Sequence, residues 1–233
     1  MSQFSEQYAG PVSVSGLGTE ARALFLRRTY LHLFAAIIAF AGIEVALFTS
    51  GLAEPIAIGM LSTSWLMVLG AFMVVGWFFS RMAERAVTPA AQYAALGGYV
   101  LAEALIFVPL LFIAQQVAPG AIQSAAVVTL LAFSGLTALV LTTKADFRFM
   151  GAFLNWCGIV ALVLIVCGVL FGFNLGVYFT VAMIAFAGGI ILYDTSRIML
   201  CYPEDRYVAA ALSLFAGVAL MFWYVLRLFM SRD

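Results

Sequence analysis

Long apolar stretches separated by short polar breaks run along the sequence from about residue 29 almost to its end. A helix needs about 20 apolar residues to cross the roughly 30 Å hydrocarbon core of a bilayer, because each residue rises about 1.5 Å. Seven stretches reach that length, so the pattern predicts an all-α integral membrane protein with seven transmembrane helices. The predicted spans are residues 29–49, 59–80, 91–113, 121–142, 149–171, 175–197 and 208–229.

The composition argues against a soluble protein. Hydrophobic residues make up 65% of the 233 residues and charged residues 9%, whereas an ordinary globular domain has about 45–50% and about 25%. The 11 basic side chains are balanced by 11 acidic ones, which leaves no basic field to attract nucleic acid. We therefore expect the lipid bilayer, and not nucleic acid, as the partner of most of the surface.

Lysine and arginine are distributed unevenly between the two sides that the spans define. Cytoplasmic loops of membrane proteins carry an excess of these residues. The side with the N-terminus and the loops after spans two, four and six contains Arg22, Arg27, Arg28, Arg81, Arg85, Lys144, Arg148, Arg197 and Arg206. Only Arg227 and Arg232 fall on the other side. The N-terminus is therefore predicted to be cytoplasmic, in a cell membrane for which the bacterial inner membrane is the first candidate.

The first 21 residues are small and polar, with no apolar core of a signal peptide. They are predicted to be a disordered cytoplasmic tail, and residues 22–233 a single transmembrane domain. The three cysteines do not suggest a disulfide framework. Since His32 is the only histidine, we expect neither a metal site nor a cofactor.

Charged residues at membrane depth cost free energy, and each therefore suggests a function. Glu103 lies near the middle of span three, where it is either a neutral acid bonded between helices or part of an ion path through a water-filled pocket. Glu44 lies toward the outer end of span one, where it either reaches interfacial water or takes part in function. Arg227 is close enough to a helix end to reach the interface and serve as an anchor.

Asp194 lies at the cytoplasmic end of span six, in the run Tyr193-Asp194-Thr195-Ser196-Arg197. Two arginines are candidate partners: Arg197, three residues further along the same helix, and Arg81, at the cytoplasmic end of span two. The protonation of a carboxylate depends on burial and on such charges, so a pair with Arg81 would be a pH-gated latch. A pair with Arg197 alone would be a local helix-end contact, with Tyr193 as a further neighbour.

Four short runs resemble segments of one family. They are Lys144-Ala145-Asp146-Phe147, Tyr193-Asp194-Thr195, Ala210-Ala211-Leu212-Ser213-Leu214-Phe215 and Tyr224-Val225-Leu226-Arg227. In their order and spacing they resemble the Bax inhibitor-1 (transmembrane Bax inhibitor motif) family, bacterial type, over residues 20–233. The resemblance implies that six helices surround a central C-terminal helix. It also implies a pH-sensitive calcium leak, with Ca²⁺ transported and not held as a cofactor.

The resemblance also implies roles for individual residues. Asp194 matches the first aspartate of a proton-sensing pair, and Arg81, which follows Trp77-Phe78-Phe79-Ser80, matches the arginine that latches onto the pair. The second aspartate of the family falls at Gly217, and span seven contains no acid. Glu103 is the candidate for a second carboxylate from another helix.

Other functions remain open. We expect no enzyme, since a single aspartate cannot form an aspartyl-protease pair and no serine motif accompanies His32. The alternative to a cation leak is a non-transporting interaction protein that modulates a membrane protease or a stress or cell-death pathway. If the protein is a leak, Asp194 and Glu103 are expected to be essential and residues 1–19 dispensable. If it is an interaction protein, the acids are expected to be dispensable and the N-terminal tail or a cytoplasmic loop important.

Overall fold

The structure, a computed structural model, describes residues 14–16, 18–86 and 88–231. The described residues contain eight α-helices: α1 Thr19–Thr49, α2 Ala53–Leu61, α3 Trp65–Arg85, α4 Pro89–Val117, α5 Ala121–Thr143, α6 Gly151–Phe171, α7 Gly176–Leu200 and α8 Tyr207–Met230. Seven of them, all except α2, are long and apolar enough to cross a membrane. The predicted all-α fold with seven spans is confirmed.

The apolar run that was predicted to start span two at residue 59 is divided between two helices. The short helix α2 ends at Leu61, and α3 begins only at Trp65. The hydroxyls of Ser62 and Thr63 both donate to the carbonyl of Gly59, each at 2.9 Å. Side-chain bonds of this kind compete with the helical backbone pattern, so the helical run is interrupted at the three hydroxyl residues Ser62, Thr63 and Ser64.

The end of the predicted disordered tail is ordered. Residues 1–13 lie outside the described part of the chain, but Val14–Gly16 form a turn of 3-10 helix and α1 begins at Thr19. Val14 is fully buried, and its backbone N–H donates to the carbonyl of Tyr202 at 2.9 Å. Residues 14–16 and 19–21, at the end of the predicted tail, thus lie in helical segments of the structure.

The last helix, α8, lies at the centre of the bundle. It contacts α1, α3, α4, α5 and α7, and 72% of its most apolar window is buried, against 6% for α3. Ala209, Ala210 and Ala211 are all buried, and small residues of this kind let helix backbones approach closely in a membrane. The expected central C-terminal helix is thus supported, while α6 joins the bundle through its packing against α7 and α3.

The two ends of the bundle differ in their content of Lys and Arg, and most of these residues lie at one of them. One end, called here the basic end, holds the starts of α1, α4, α6 and α8 and the ends of α3, α5 and α7. Contacts across the basic end join these elements. The guanidinium of Arg206, just before α8, donates to the carbonyl of Glu84 in the last turn of α3 at 3.0 Å, which satisfies a carbonyl that a helix end leaves unpaired.

Candidate functional site

A cavity of about 750 Å³ lies between α8 and the helices α3, α4, α6 and α7. Its wall follows α3 over nearly the whole helix, from Trp65 at the end opposite to the basic end to Glu84 at the basic end. It includes the carboxyl-bearing residues Glu84, Glu103 and Asp194, and we call it the acidic cavity. Asp194 and Glu103, which the sequence singled out on two different helices, therefore face one common space.

The acidic cavity exists because α3 and α6 do not close on each other. Helix α3 packs mainly against α4 and touches α6 only slightly. The side chains of α3 that line the cavity recur every three or four residues or a multiple of that spacing, as in Leu69, Phe72, Ser80 and Glu84. This spacing marks one face of a helix, so one stripe of α3 borders the cavity while its opposite face is exposed to lipid.

Asp194 forms an ion pair within its own helix. The residue is 9% exposed, and one carboxylate oxygen lies 3.8 Å from Nη1 of Arg197. The guanidinium of Arg197 also lies over the rings of Tyr193 and Tyr202, at 5.5 and 5.6 Å from their centroids. Rings in this position attract a cation, so Arg197 is held at the basic end of the cavity by one acid and two aromatic rings.

Arg81 does not pair with Asp194. Within the described part of the chain the ion pair of Asp194 is with Arg197, and Arg81 is exposed and does not line the cavity. Successive residues of an α-helix are rotated by about 100°, so the presence of Ser80 and Glu84 on the cavity face directs Arg81 elsewhere. The expected Arg81–Asp194 latch is therefore absent from this structure, and the acid of α3 at the mouth is Glu84.

Glu103 lies inside the cavity wall. It is 5% exposed and follows Tyr99 by one turn of α4, and both residues border the cavity. Gly217, where the family's second aspartate is expected, borders the same space. A Cβ added to Gly217 would lie 3.1 Å from Cγ1 of Ile191, so a larger residue there requires a small shift of that side chain.

Glu44 occupies a different environment. It is 7% exposed, does not line the acidic cavity, and both of its carboxyl oxygens are buried without a hydrogen-bond partner among the described residues. In this structure the carboxyl group of Glu44 therefore lies inside the bundle and not at its surface. The structure does not bring it together with Asp194 and Glu103.

The loop between α5 and α6 docks beside Asp194. The backbone N–H of Phe147 donates to Oγ of Ser196 at 3.2 Å, and that hydroxyl donates to the carbonyl of Ala145 at 3.2 Å. In the same loop, hydrogen bonds from the side chain and backbone N–H of Arg148 lower the pKa of Asp146 to about 2. Part of the run that carried the family resemblance thus fastens this loop to α7.

Some residues of the site could not be selected from the sequence. Tyr202 follows the end of α7, and its hydroxyl lies 3.0 Å from Oγ of Ser213 in the cavity wall. Glu84 follows Ser80 at the four-residue spacing of one helix face, and both residues line the cavity, whereas the family resemblance indicates Arg81 at this helix end. Arg227, expected only as an anchor, borders the cavity at the end opposite to the basic end.

Seven helices able to cross a membrane, together with a cavity bordered by three acids, define a helical membrane protein with an acid-bearing space in its bundle. Residues 22–233 match the family described as inhibitor of apoptosis-promoting Bax1. The chain therefore belongs to the Bax inhibitor-1 family, as its resemblance predicted.

The chain is also similar to a bacterial protein. It is 32% identical over 109 residues to the uncharacterized protein PA2604 of Pseudomonas aeruginosa. The match covers 46% of this chain and 49% of that protein, so it spans about half the length of the relative. No solved structure matches the chain.

Proposed function

We propose that the protein is a pH-sensitive cation leak, with calcium as the first candidate ion, and that the acidic cavity is its path. The observation that carries the proposal is that Glu84, Glu103 and Asp194 border one cavity whose wall follows the length of a membrane-crossing helix. Acids lining a narrow space attract cations and raise their local concentration. Among the described residues no three metal-binding side chains are gathered into one cluster, and acids spread along a wall suit an ion that passes through.

Asp194 and Arg197 support an electrostatic gate at the basic end. With Asp194 ionised, the charge of Arg197 is compensated, and Glu84 leaves the mouth with a net negative charge. Protonation of Asp194 leaves Arg197 and Glu84 to balance each other, so the mouth loses its net negative charge and attracts an entering cation less. Cation flux is therefore expected to rise with pH. A latch between two helices, as first expected for Arg81, would open on protonation and give the opposite slope.

The test is calcium flux into proteoliposomes of purified protein between about pH 6 and 8, with Asp194→Asn and Glu103→Gln as variants. Asp194→Asn is expected to flatten the pH profile, and Glu103→Gln to lower flux at every pH. Glu44→Gln is the matched control, because that acid is equally buried but lies away from the cavity. Flux no greater than that of empty liposomes at every pH would rule out the leak.

A second candidate is the non-transporting interaction protein. The buried Val14 and its bond to Tyr202 favour it, because they attach the N-terminal segment close to Arg197. Deletion of residues 1–16 separates the two functions. If the truncated protein keeps its calcium flux, the leak does not need this segment. If the truncated protein also loses a partner in affinity purification, the segment serves interaction.

We also propose that the basic end faces the cytoplasm, since cytoplasmic loops are rich in Lys and Arg. Cys201 is exposed just after α7 at the basic end. In intact cells a membrane-impermeant thiol reagent is expected to leave Cys201 unmodified and to label it only after lysis. Labelling of intact cells that Cys201→Ser removes would place the basic end outside.

A further inference from the structure

The acidic cavity is much larger than a metal ion needs. Its volume of about 750 Å³ falls within the roughly 300–1,000 Å³ of pockets that bind organic ligands. Such pockets combine mostly apolar walls with a few polar groups that fix the orientation of the ligand. The size of the cavity thus points to an organic molecule as a possible occupant.

The wall of the cavity is rich in aromatic rings. The indoles of Trp65 on α3 and Trp223 on α8 are stacked, with centroids 6.1 Å apart and planes inclined by 23°. The ring of Phe107 meets Trp223 edge-on at 5.0 Å. All three line the cavity, as does Tyr99 next to Glu103. Aromatic faces, above all those of tryptophan, attract organic cations.

The charges of the cavity favour a cation over an anion. Three carboxyl groups border it, against the two guanidinium groups of Arg197 and Arg227 among the described residues. Arg197 is already paired with Asp194 and covered by two tyrosine rings, and Arg227 lies toward the far end of α8. The middle of the cavity, where Glu103 meets the aromatic wall, therefore carries an acid that no neighbouring wall residue compensates.

The gap between α3 and α6 offers the cavity an access from the membrane. Helices α3 and α6 border it but touch each other only slightly, and both are largely exposed to lipid. A molecule with apolar groups and a positive charge can concentrate in the bilayer and reach the gap between these helices without crossing the basic end.

We propose that the acidic cavity is a binding site for amphipathic organic cations, with Glu103 as the charge partner and Trp65 and Trp223 as the aromatic wall. The site is the one that the proposed function assigns to ions, but binding does not require that the protein conducts. An organic cation seated there would occupy the proposed path.

The probe is tetraphenylphosphonium, and its matched control is tetraphenylborate, which has nearly the same shape and the opposite charge. Binding is followed in detergent micelles by tryptophan fluorescence of a protein with Trp77→Phe and Trp156→Phe, because those two tryptophans are exposed to lipid. The remaining indoles, Trp65 and Trp223, both lie in the cavity. A control sample of protein-free micelles with a soluble indole measures how far the probes quench indole fluorescence without a binding site.

Tetraphenylphosphonium is expected to give a saturable change that tetraphenylborate does not give. Glu103→Gln is expected to weaken binding by about tenfold, because a nearby charge inside a protein contributes more than 1.4 kcal/mol. Glu44→Gln is expected to leave the affinity unchanged.

Equal responses to the two probes in the protein with Glu103 intact would overturn the proposal and indicate apolar partitioning only. This conclusion would hold whatever affinities the Glu103→Gln and Glu44→Gln variants show. An unchanged affinity in Glu103→Gln would also overturn it. Binding is measured in micelles, where no ion flux can occur, so the binding result does not depend on the flux result. Binding without calcium flux in proteoliposomes would refute the leak alone, and flux without binding would refute this site alone.

Discussion

The two sides of α8 differ in how the central helix meets its neighbours. On the side that does not border the cavity, Ala210, Ala211 and Leu214 are fully buried. On the other side, Ala216 and Gly217 border the acidic cavity. Both sides consist almost entirely of apolar residues, so hydropathy does not distinguish them. The difference shows that a helix can be central and apolar and still form the wall of an open space.

The same contrast separates two intramembrane acids. Glu44 and Glu103 are 7% and 5% exposed, yet only Glu103 borders the cavity. Glu44 has no hydrogen-bond partner for either oxygen among the described residues. Burial alone therefore does not distinguish the two acids, whereas access to the cavity does.

The largest effect on stability is expected when the same alanine-to-leucine substitution is compared on the two sides of α8. Ala211→Leu forces three additional carbon atoms into a packed contact and is expected to cost about 1–3 kcal/mol of unfolding free energy. Ala216→Leu is expected to cost much less, because its side chain extends into the cavity. Thermal unfolding of both variants in one detergent measures the difference, and equal losses would contradict the comparison.

The next effect concerns the cavity side alone. Gly217→Asp places a further carboxyl group in the wall that Asp194 and Glu103 share, and calcium flux is expected to become several-fold more dependent on pH. Gly217→Ala is the control, since it brings the same Cβ against Ile191 without the acid. A pH profile that changes equally in both variants would assign the effect to packing.

A smaller effect is expected on the packed side. Glu44→Leu removes a carboxyl group that lacks a partner, and an unsatisfied buried polar group costs about 1–3 kcal/mol. The variant is therefore expected to be more stable than the parent by about 1 kcal/mol, with unchanged flux. Lower stability in Glu44→Leu but not in Glu44→Gln would show that the acid has a partner in the membrane.

The smallest effect is expected at an exposed acid outside both sides. Hydrogen bonds from Arg148 lower the pKa of Asp146 to about 2, below the value of about 3.9 for a free side chain. Their stabilisation is present above about pH 4 and is lost as the pH falls through about 2. The stability of Asp146→Asn is thus expected to approach that of the parent over this range. Solvent screening keeps the difference small, and a gap independent of pH would contradict it.

The sequence was sufficient for the features that depend on single segments. The seven membrane helices, the family and the unusual positions of Glu103 and Asp194 all follow from local hydropathy or from short runs of residues. The break before Trp65 was missed, because a stretch of about 20 residues stays apolar on average across Ser62, Thr63 and Ser64, although two of these hydroxyls bond to a preceding carbonyl.

Tertiary structure alone decided which residues meet. The sequence left both Arg81 and Arg197 open as partners of Asp194, and the rotation of α3 settled the question by turning Ser80 and Glu84 toward the cavity. It also could not separate Glu44 from Glu103, since both are single acids in apolar helices. Hydropathy reports the preference of a segment for lipid, and it carries no information about which face of a helix meets a neighbour and which meets a space.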